Sequence, residues 1–424
     1  MQRRLHHGNR GRLRSHGYFR RLGPGIVTGI ADDDPSGIGT YSQVGAATGF
    51  NLLWAAPVAL PFAIAVQEST ARLGLVTGRG LAALIRERFH RSILSIAVLC
   101  VVVANTFNIG ANLGSMSASL QLLTPIRFEV LIILFTAVLI LTEVFIPYQK
   151  YVQVLKWLSF SVISYIAVLF FIDADWIEVA KNTLLPQMSF TREHIGAIIA
   201  IFGTTISPYL FFWQTSEEVE ERGNGDALEV GFPDRGHMQA MRGDVTMGMF
   251  SGITVMFAIM VTAGATLGAR GPATISSAEQ AAEALRPLAG DSAGLLFSLG
   301  IIGTGLLSVP VLAGSTAYAL SEAFGWREGL SLKLTQAKAF YGVIAFSMIA
   351  GLFMNLAGVN SVRALYWSAL VNGLVAGPLI VLVWILARSP DIMGTHSSGR
   401  ASQLFVGGAA LIAVVAPVLL IFAV

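Results

Sequence analysis

The chain has 424 residues, of which 54% are hydrophobic and only 12% charged, and its mean hydropathy is +0.67. Soluble domains carry about 25% charged residues, so an ordinary soluble domain is excluded, and long apolar blocks in place of two-residue alternation exclude a membrane β-barrel. The net charge of +3 gives no case for nucleic acid, because the basic residues gather in loops at one membrane face, and the lone Cys100 excludes an intrachain disulfide.

Residues 1–21 form an Arg- and His-rich tail with no clean apolar core and no small-residue cleavage site behind it. They read as a retained cytosolic tail, not a secretory leader. A bilayer core of about 30 Å needs roughly 20 apolar residues per helix. A helix also satisfies its own backbone polar groups in lipid, so the fold class is all-α and polytopic. Eleven spans are predicted, at 22–48, 50–73, 93–122, 127–147, 151–174, 194–219, 243–268, 293–322, 336–357, 361–387 and 402–423. With the N-terminus inside, the outer loops hold Arg127, Lys181, Arg192, Arg270, Arg286 and Arg363. The other 22 of the 28 basic residues are then cytosolic, which is the bias expected for that orientation, and the C-terminus lies outside.

Two spans contain helix breakers. The first carries Asp34-Pro35-Ser36-Gly37-Ile38-Gly39, and the sixth carries Gly203-Thr204-Thr205-Ile206-Ser207-Pro208. A proline inside a helix removes a hydrogen bond and crowds the preceding turn. Breaks five spans apart fall in segments of opposite topology, the pattern of an inverted repeat. Residues 22–174 would then form one repeat and 194–387 the other, with 402–423 an added span.

Asp34 is the key candidate. A carboxylate at the bilayer centre costs about 2.5–3.5 kcal/mol even on lenient insertion scales, so a cation, a partner or water must compensate. The unwound backbone frees carbonyl oxygens, and the half-helices leading into the breaks end with their negative poles there. Together these favour a positive charge. Asp34 also suits a helix N-cap, and one oxygen can cap while the other binds. Asp32 and Asp33 are expected to be water-exposed on the cytosolic side of the break. Asn105, Asn108 and Asn112 share one helix face, where amides commonly bond between helices. Asn372 and Gln214 are weaker candidates for the ion path. Glu217 and Glu218 are expected to end the sixth span in solvent, and Glu68 and Glu143 to pair with nearby basic residues. Gly303, Gly305 and Gly314 are expected to permit close helix packing.

Several motifs carry a family resemblance. Gly23-Pro24-Gly25, then Ala31 to Asp34-Pro35, Gly45 to Leu53, Ala71 to Gly78, and Gly203 to Pro208 together resemble the NRAMP divalent-metal transporters, over nearly the whole chain. The resemblance implies a LeuT-type 5+5 inverted repeat with broken first and sixth helices. The family's Asp-Pro-Gly-Asn reads Asp34-Pro35-Ser36-Gly37 here, and its Met-Pro-His reads Ser207-Pro208-Tyr209, departures that look like the NRAMP-related magnesium transporter branch. By position, Asp34 would be the metal carboxylate, and the carbonyls of Ala31 and Thr204 would be backbone ligands. Gly37 replaces a ligand asparagine and Ser207 a ligand methionine. Ser36, Thr205, Tyr209, Gln214, Asn112 and Asn372 would line the path or support the ligands.

A thioether favours transition metals, and Ser207 removes that bias. Mg²⁺ keeps several waters and uses one or two carboxylates, so a roomier all-oxygen site suits it, with Mn²⁺ still admissible. The family's acidic pair in the third span falls among Asn105 to Asn112, and its sixth-span histidine is Tyr209. None of these titrates near neutral pH, so weak or absent proton coupling is expected. The expectation is a Mg²⁺ importer of the bacterial inner membrane, working by alternating access, without a cofactor or an obligatory protein partner. A proton-coupled Mn²⁺/Fe²⁺ importer and a LeuT-type carrier of organic cations or amino acids are the rivals. No nucleophile–base cluster points to an enzyme.

Overall fold

The computed structural model describes residues 24–146, 163–187, 189–223, 233, 235–269 and 271–422. All regular structure among these residues is helical. The first span is two helices, α1 (Pro24–Asp32) and α2 (Pro35–Thr48). The second is α3 (Ala55–Thr77), and a short α4 (Leu81–Arg88) leads to α5 (Arg91–Gln121) and α6 (Phe128–Phe145). After α7 (Ile163–Val168) and α8 (Trp176–Leu184), the sixth span is again divided, into α9 (Arg192–Thr205) and α10 (Pro208–Gly223). Five further long helices follow: α11 (Arg235–Thr266), α12 (Ala293–Phe324), α13 (Lys338–Leu356), α14 (Ser361–Arg388) and α15 (Arg400–Phe422).

Among the described residues, eight helical segments are long and apolar enough to cross a bilayer. The divided first span meets that description only as a pair. The 23-residue α3 carries buried Gln67, Glu68 and Arg72, which lower its apolarity. The first half of the expected fifth span, and the whole basic tail, lie outside the described residues. Large apolar side chains such as Ile96, Leu99 and Val103 on α5 and Leu404, Leu411 and Ile421 on α15 are exposed, as a lipid-facing surface requires.

In lipid the hydrophobic effect does not drive helices together, so close packing at small residues takes its place. The sequence supplies such residues at i, i+4 spacing. Gly25 and Gly29 of α1 press on Gly248 of α11, with backbone against backbone. Gly45 of α2 meets Gly264, Gly203 of α9 meets Gly373 of α14, and Gly110 of α5 meets Gly351 of α13. Gly305 and Gly314 pack as expected, the first against Met116 and Pro35 and the second against Trp213. A Cβ at Gly29 would collide with the Gly248 backbone, and a helix backbone cannot yield as a side-chain tip can. Gly29→Ala is therefore expected to destabilise the protein by about 1–3 kcal/mol, the usual effect of overpacking. Thermal unfolding of the detergent-purified protein tests this, with Gly294→Ala, whose new methyl meets nothing, as the neutral control.

These crossings bring both broken spans to the middle of the bundle. The nine residues of α1 cover about 13 Å and the fourteen of α2 about 21 Å, so the first break sits near mid-membrane. Helix α11 packs along both α1 and α2. Helix α5 packs against α12, α13 and α14, while α9 lies on α14 and α10 lies on α3 and α12. Helix α15 packs on α14 and α3 at the periphery.

Candidate functional site

The first break is built by Asp34. Its backbone is extended (φ −67°, ψ 170°), and Pro35 follows at the first helical position, where a missing N–H costs nothing. The Asp34 Oδ1 atom accepts from the Gly37 N–H at 2.7 Å and the Ser36 hydroxyl at 2.6 Å. The Asn112 amide on α5 donates to Oδ2 at 2.8 Å and also reaches Ser308 at 3.4 Å. Asp34 is therefore both an N-cap and a buried carboxylate, 1% exposed. A carboxylate offers about four lone-pair sites, and three are used here. Glycine at position 37 has a steric reason. A Cβ there would stand 2.9 Å from the Asp32 carbonyl and 3.4 Å from the Tyr41 ring.

The second break runs through Ile206 and Ser207. The Ser207 hydroxyl shares its proton between the Thr204 carbonyl at 2.6 Å and the Gly203 carbonyl at 3.1 Å. Thr205 and Tyr41 join hydroxyls at 3.0 Å, and the Thr205 hydroxyl also lies 3.4 Å from the Met256 sulfur. One bond connects the two breaks, in which the Tyr209 hydroxyl donates to the Ala31 carbonyl at 2.9 Å. The carbonyls expected as ligands, Ala31 and Thr204, thus each carry a hydroxyl donor of the protein.

The remaining candidates divide. Asn372 is fully buried, and neither of its amide atoms has a hydrogen-bond partner. Its neighbour Gly373 packs on Ile199 and Gly203 of α9, which brings it beside the second break. Gln214 lies further along α10. It accepts from Thr28 at 2.5 Å and Gln67 at 3.3 Å and donates to Glu218 at 2.9 Å, tying α1, α3 and α10 together. Asn105 and Asn108 do bond between helices, to Leu312 and Thr316 and to Ser368.

Two expectations fail. Asp32 and Asp33 are not water-exposed; they are 3% and 6% exposed, because the glycine face of α1 draws them against α11. Glu218 does not end in solvent but is buried, held by Gln214, where α10 packs on α3; Glu217 is half-buried beside it. Glu68 pairs with Arg72 at 3.1 Å and Arg242 at 3.0 Å, as expected.

The two ends of α1 and α2 differ in openness. A cavity of about 270 Å³ lies beside α2, lined by Gly39, Ser42, Thr48, Ser115, Ala197 and Tyr366 among others. The α1 end is closed. Asp244 accepts from the Gly25 N–H at 2.6 Å, Thr28 is bonded to Gln214, and Gly29 is pressed on Gly248. Among the described residues, no trio of His, Cys, Asp or Glu side chains converges as a resident metal centre would.

The Nramp family model, natural resistance-associated macrophage protein-like, matches residues 25–423. The chain belongs to this family. Among similar proteins, the divalent metal cation transporter MntH of Pectobacterium carotovorum subsp. carotovorum (strain PC1) is 26% identical over 387 residues, covering 90% of this chain and 89% of the relative. The protein of the same name from Verminephrobacter eiseniae (strain EF01-2) is 28% identical over 388 residues, covering 89% and 83%. The manganese transporter of Eremococcus coleocola, solved with an aromatic bis-isothiourea substituted compound, superposes with a TM-score of 0.74 at 17% identity, covering 96% of this chain and 87% of that one. Mhp1, a nucleobase-cation-symport-1 family transporter, gives 0.59 at 13% identity, covering 94% and 93%. These superpositions establish the LeuT-type fold, with broken first and sixth spans.

As an Nramp-family chain the protein is a membrane transporter and not an enzyme. Reading its sequence passed over Tyr41, Thr28, Met256 and Asp244. Tyr41 had a usable signal, since it stands seven residues after Asp34 and so returns to the same helix face after two turns. The other three had none, because helix packing alone brings Met256 to Thr205, Thr28 to Gln214 and Asp244 to the Gly25 N–H.

Proposed function

We propose that this Nramp-family divalent metal cation transporter imports Mg²⁺, bound partly hydrated between the two breaks, and that it belongs with the NRAMP-related magnesium transporters. What supports this reading is the chemistry of the donor set expected at the two breaks. It consists of a carboxylate, the Ala31 and Thr204 carbonyls and the Ser207 hydroxyl, all oxygen, with no thioether or imidazole among them. Hard oxygen donors suit Mg²⁺, which surrenders few of its waters. Asn112, Ser36 and the Gly37 N–H hold the carboxylate in place. The cavity at the α2 end and the closed α1 end support access from one side at a time. With the orientation argued from loop charge, the open side is the exterior.

Proton coupling is expected to be absent. Asn105, Asn108 and Asn112 fill the third-span positions where a proton relay would need acids, and Tyr209 occupies that of an imidazole. Import then runs with the membrane potential, worth about 2.3 kcal/mol per charge per 100 mV. A second reading is proton-coupled Mn²⁺ uptake, whose metal is the one in the name of the similar Eremococcus coleocola transporter. Uptake into proteoliposomes carrying a pH dye tests both. Mg²⁺ in the millimolar range should enter without acidification and compete strongly with Mn²⁺. Internal acidification, or Mn²⁺ uptake indifferent to Mg²⁺, would favour the second reading.

A further inference from the structure

We propose that Asp32 and Asp33, with the Tyr41 and Thr205 hydroxyls, form a second divalent-cation site on the α1 side of Asp34. It rests on the reading above only for the direction of transport. The two carboxylates converge on one spot of α11. A Cβ built on Gly252 would stand 3.7 Å from Asp33 Oδ2, 3.9 Å from Asp32 Oδ2 and 3.2 Å from the Gly29 carbonyl. Glycine at position 252 keeps that space free. The Tyr41 ring packs at Gly37 beside the Asp32 carbonyl, and its hydroxyl meets that of Thr205 at 3.0 Å. Met256, one turn along α11 from Gly252, accepts from the Thr205 hydroxyl at 3.4 Å.

The two carboxylates are more than nine-tenths buried, and the Oδ1 atom of each has no hydrogen-bond partner. Asp34, one residue away, has three donors. Among the described residues, the helices around Asp32 and Asp33 offer no nearby cation either. Helices α1, α2 and α12 contain no Lys, Arg or His. On α11 the basic residue nearest to Gly252 is Arg242, ten positions and about 15 Å away along the helix, and it is bonded to Glu68. On α9, Arg192 and His194 lie at the far end from Thr205. Two uncompensated carboxylates in a membrane interior are costly, so the pair needs protons or a cation. A single divalent ion neutralises the pair. Carboxylate and hydroxyl oxygens select a hard ion of the Mg²⁺, Mn²⁺ or Ca²⁺ kind. The site lies between Asp34 and the closed α1–α11 seam, so an ion leaving Asp34 away from the cavity meets it next.

Mn²⁺ binding to the purified full-length chain tests this, by equilibrium dialysis with Mg²⁺ as competitor. The wild type is expected to bind two Mn²⁺ ions. The Asp32→Asn/Asp33→Asn protein should bind one, at Asp34. Asp34→Asn should also bind one, at the inner pair. One ion in the wild type that the double variant keeps, or two in the double variant, overturns the proposal. Electron paramagnetic resonance of the saturated wild type gives a readout that depends on no variant. Neighbouring Mn²⁺ ions broaden each other's lines, and an unbroadened single-ion spectrum also overturns it. An Asp34→Asn chain that keeps both ions, with one lost in the double variant, would count against Asp34 and leave the inner pair standing.

Discussion

Asp34→Ala is expected to reduce Mg²⁺ uptake into proteoliposomes by roughly 100-fold or more, the loss expected when one member of a buried, charge-assisted contact is removed at a cost of about 3–5 kcal/mol. Asp34→Asn separates the two roles of the residue. The amide oxygen still accepts from Gly37 and Ser36, so the N-cap of α2 persists, whereas alanine removes it at a cost of about 1 kcal/mol. Both variants should therefore lose uptake, while only the alanine protein should melt measurably earlier. The decisive measurement is ²⁸Mg²⁺ or dye-reported uptake, with thermal unfolding recorded on the same preparations. An alanine protein that is stable and fully active would remove Asp34 from the site.

Tyr209→Phe is expected to act in the opposite direction on affinity. In the structure the tyrosine hydroxyl occupies the Ala31 carbonyl at 2.9 Å, the same oxygen proposed to reach the ion. Hydroxyl and cation compete for it. Removing the hydroxyl leaves a buried carbonyl unsatisfied, at about 1–3 kcal/mol, and a bound metal relieves that penalty. The phenylalanine chain should bind divalent ions about tenfold more tightly, since about 1.4 kcal/mol corresponds to a factor of ten. The gain should be larger for Mn²⁺, which gives up its waters more readily than Mg²⁺. Competition of Mg²⁺ against Mn²⁺ uptake in wild type and variant measures this. An unchanged ratio and unchanged affinity would mean that the Tyr209 bond is packing alone. The Ser207 hydroxyl on the Thr204 carbonyl sets up the same competition at the second break.

The broken spans were legible because proline and glycine act locally. Asp34-Pro35-Ser36-Gly37 can only end one helix and begin another, and the fold bears this out down to the cap. The same holds for Ser207-Pro208, and for the glycines that let helices approach. What the residues around Asp34 bond to was only partly legible. Asn112 was a candidate on a shared helix face, but its amide meets Asp34 across 78 residues of chain, a distance set by how α5 packs against the α2 end.

Asp32 and Asp33 mark the boundary most clearly. Charge and position beside a helix break argue for water, and by local chemistry alone that is the sounder expectation. The glycines at 25 and 29 decide otherwise, because they bring α1 so close to Gly248 and Gly252 that no water layer separates α1 from α11. Local backbone chemistry thus determined where the spans break and which carboxylate caps the second half. Which carboxylates end up buried, which carbonyls Tyr209 and Ser207 occupy, and which end of α1 and α2 stands open depend on contacts between helices far apart in the chain. Only tertiary packing sets those distances.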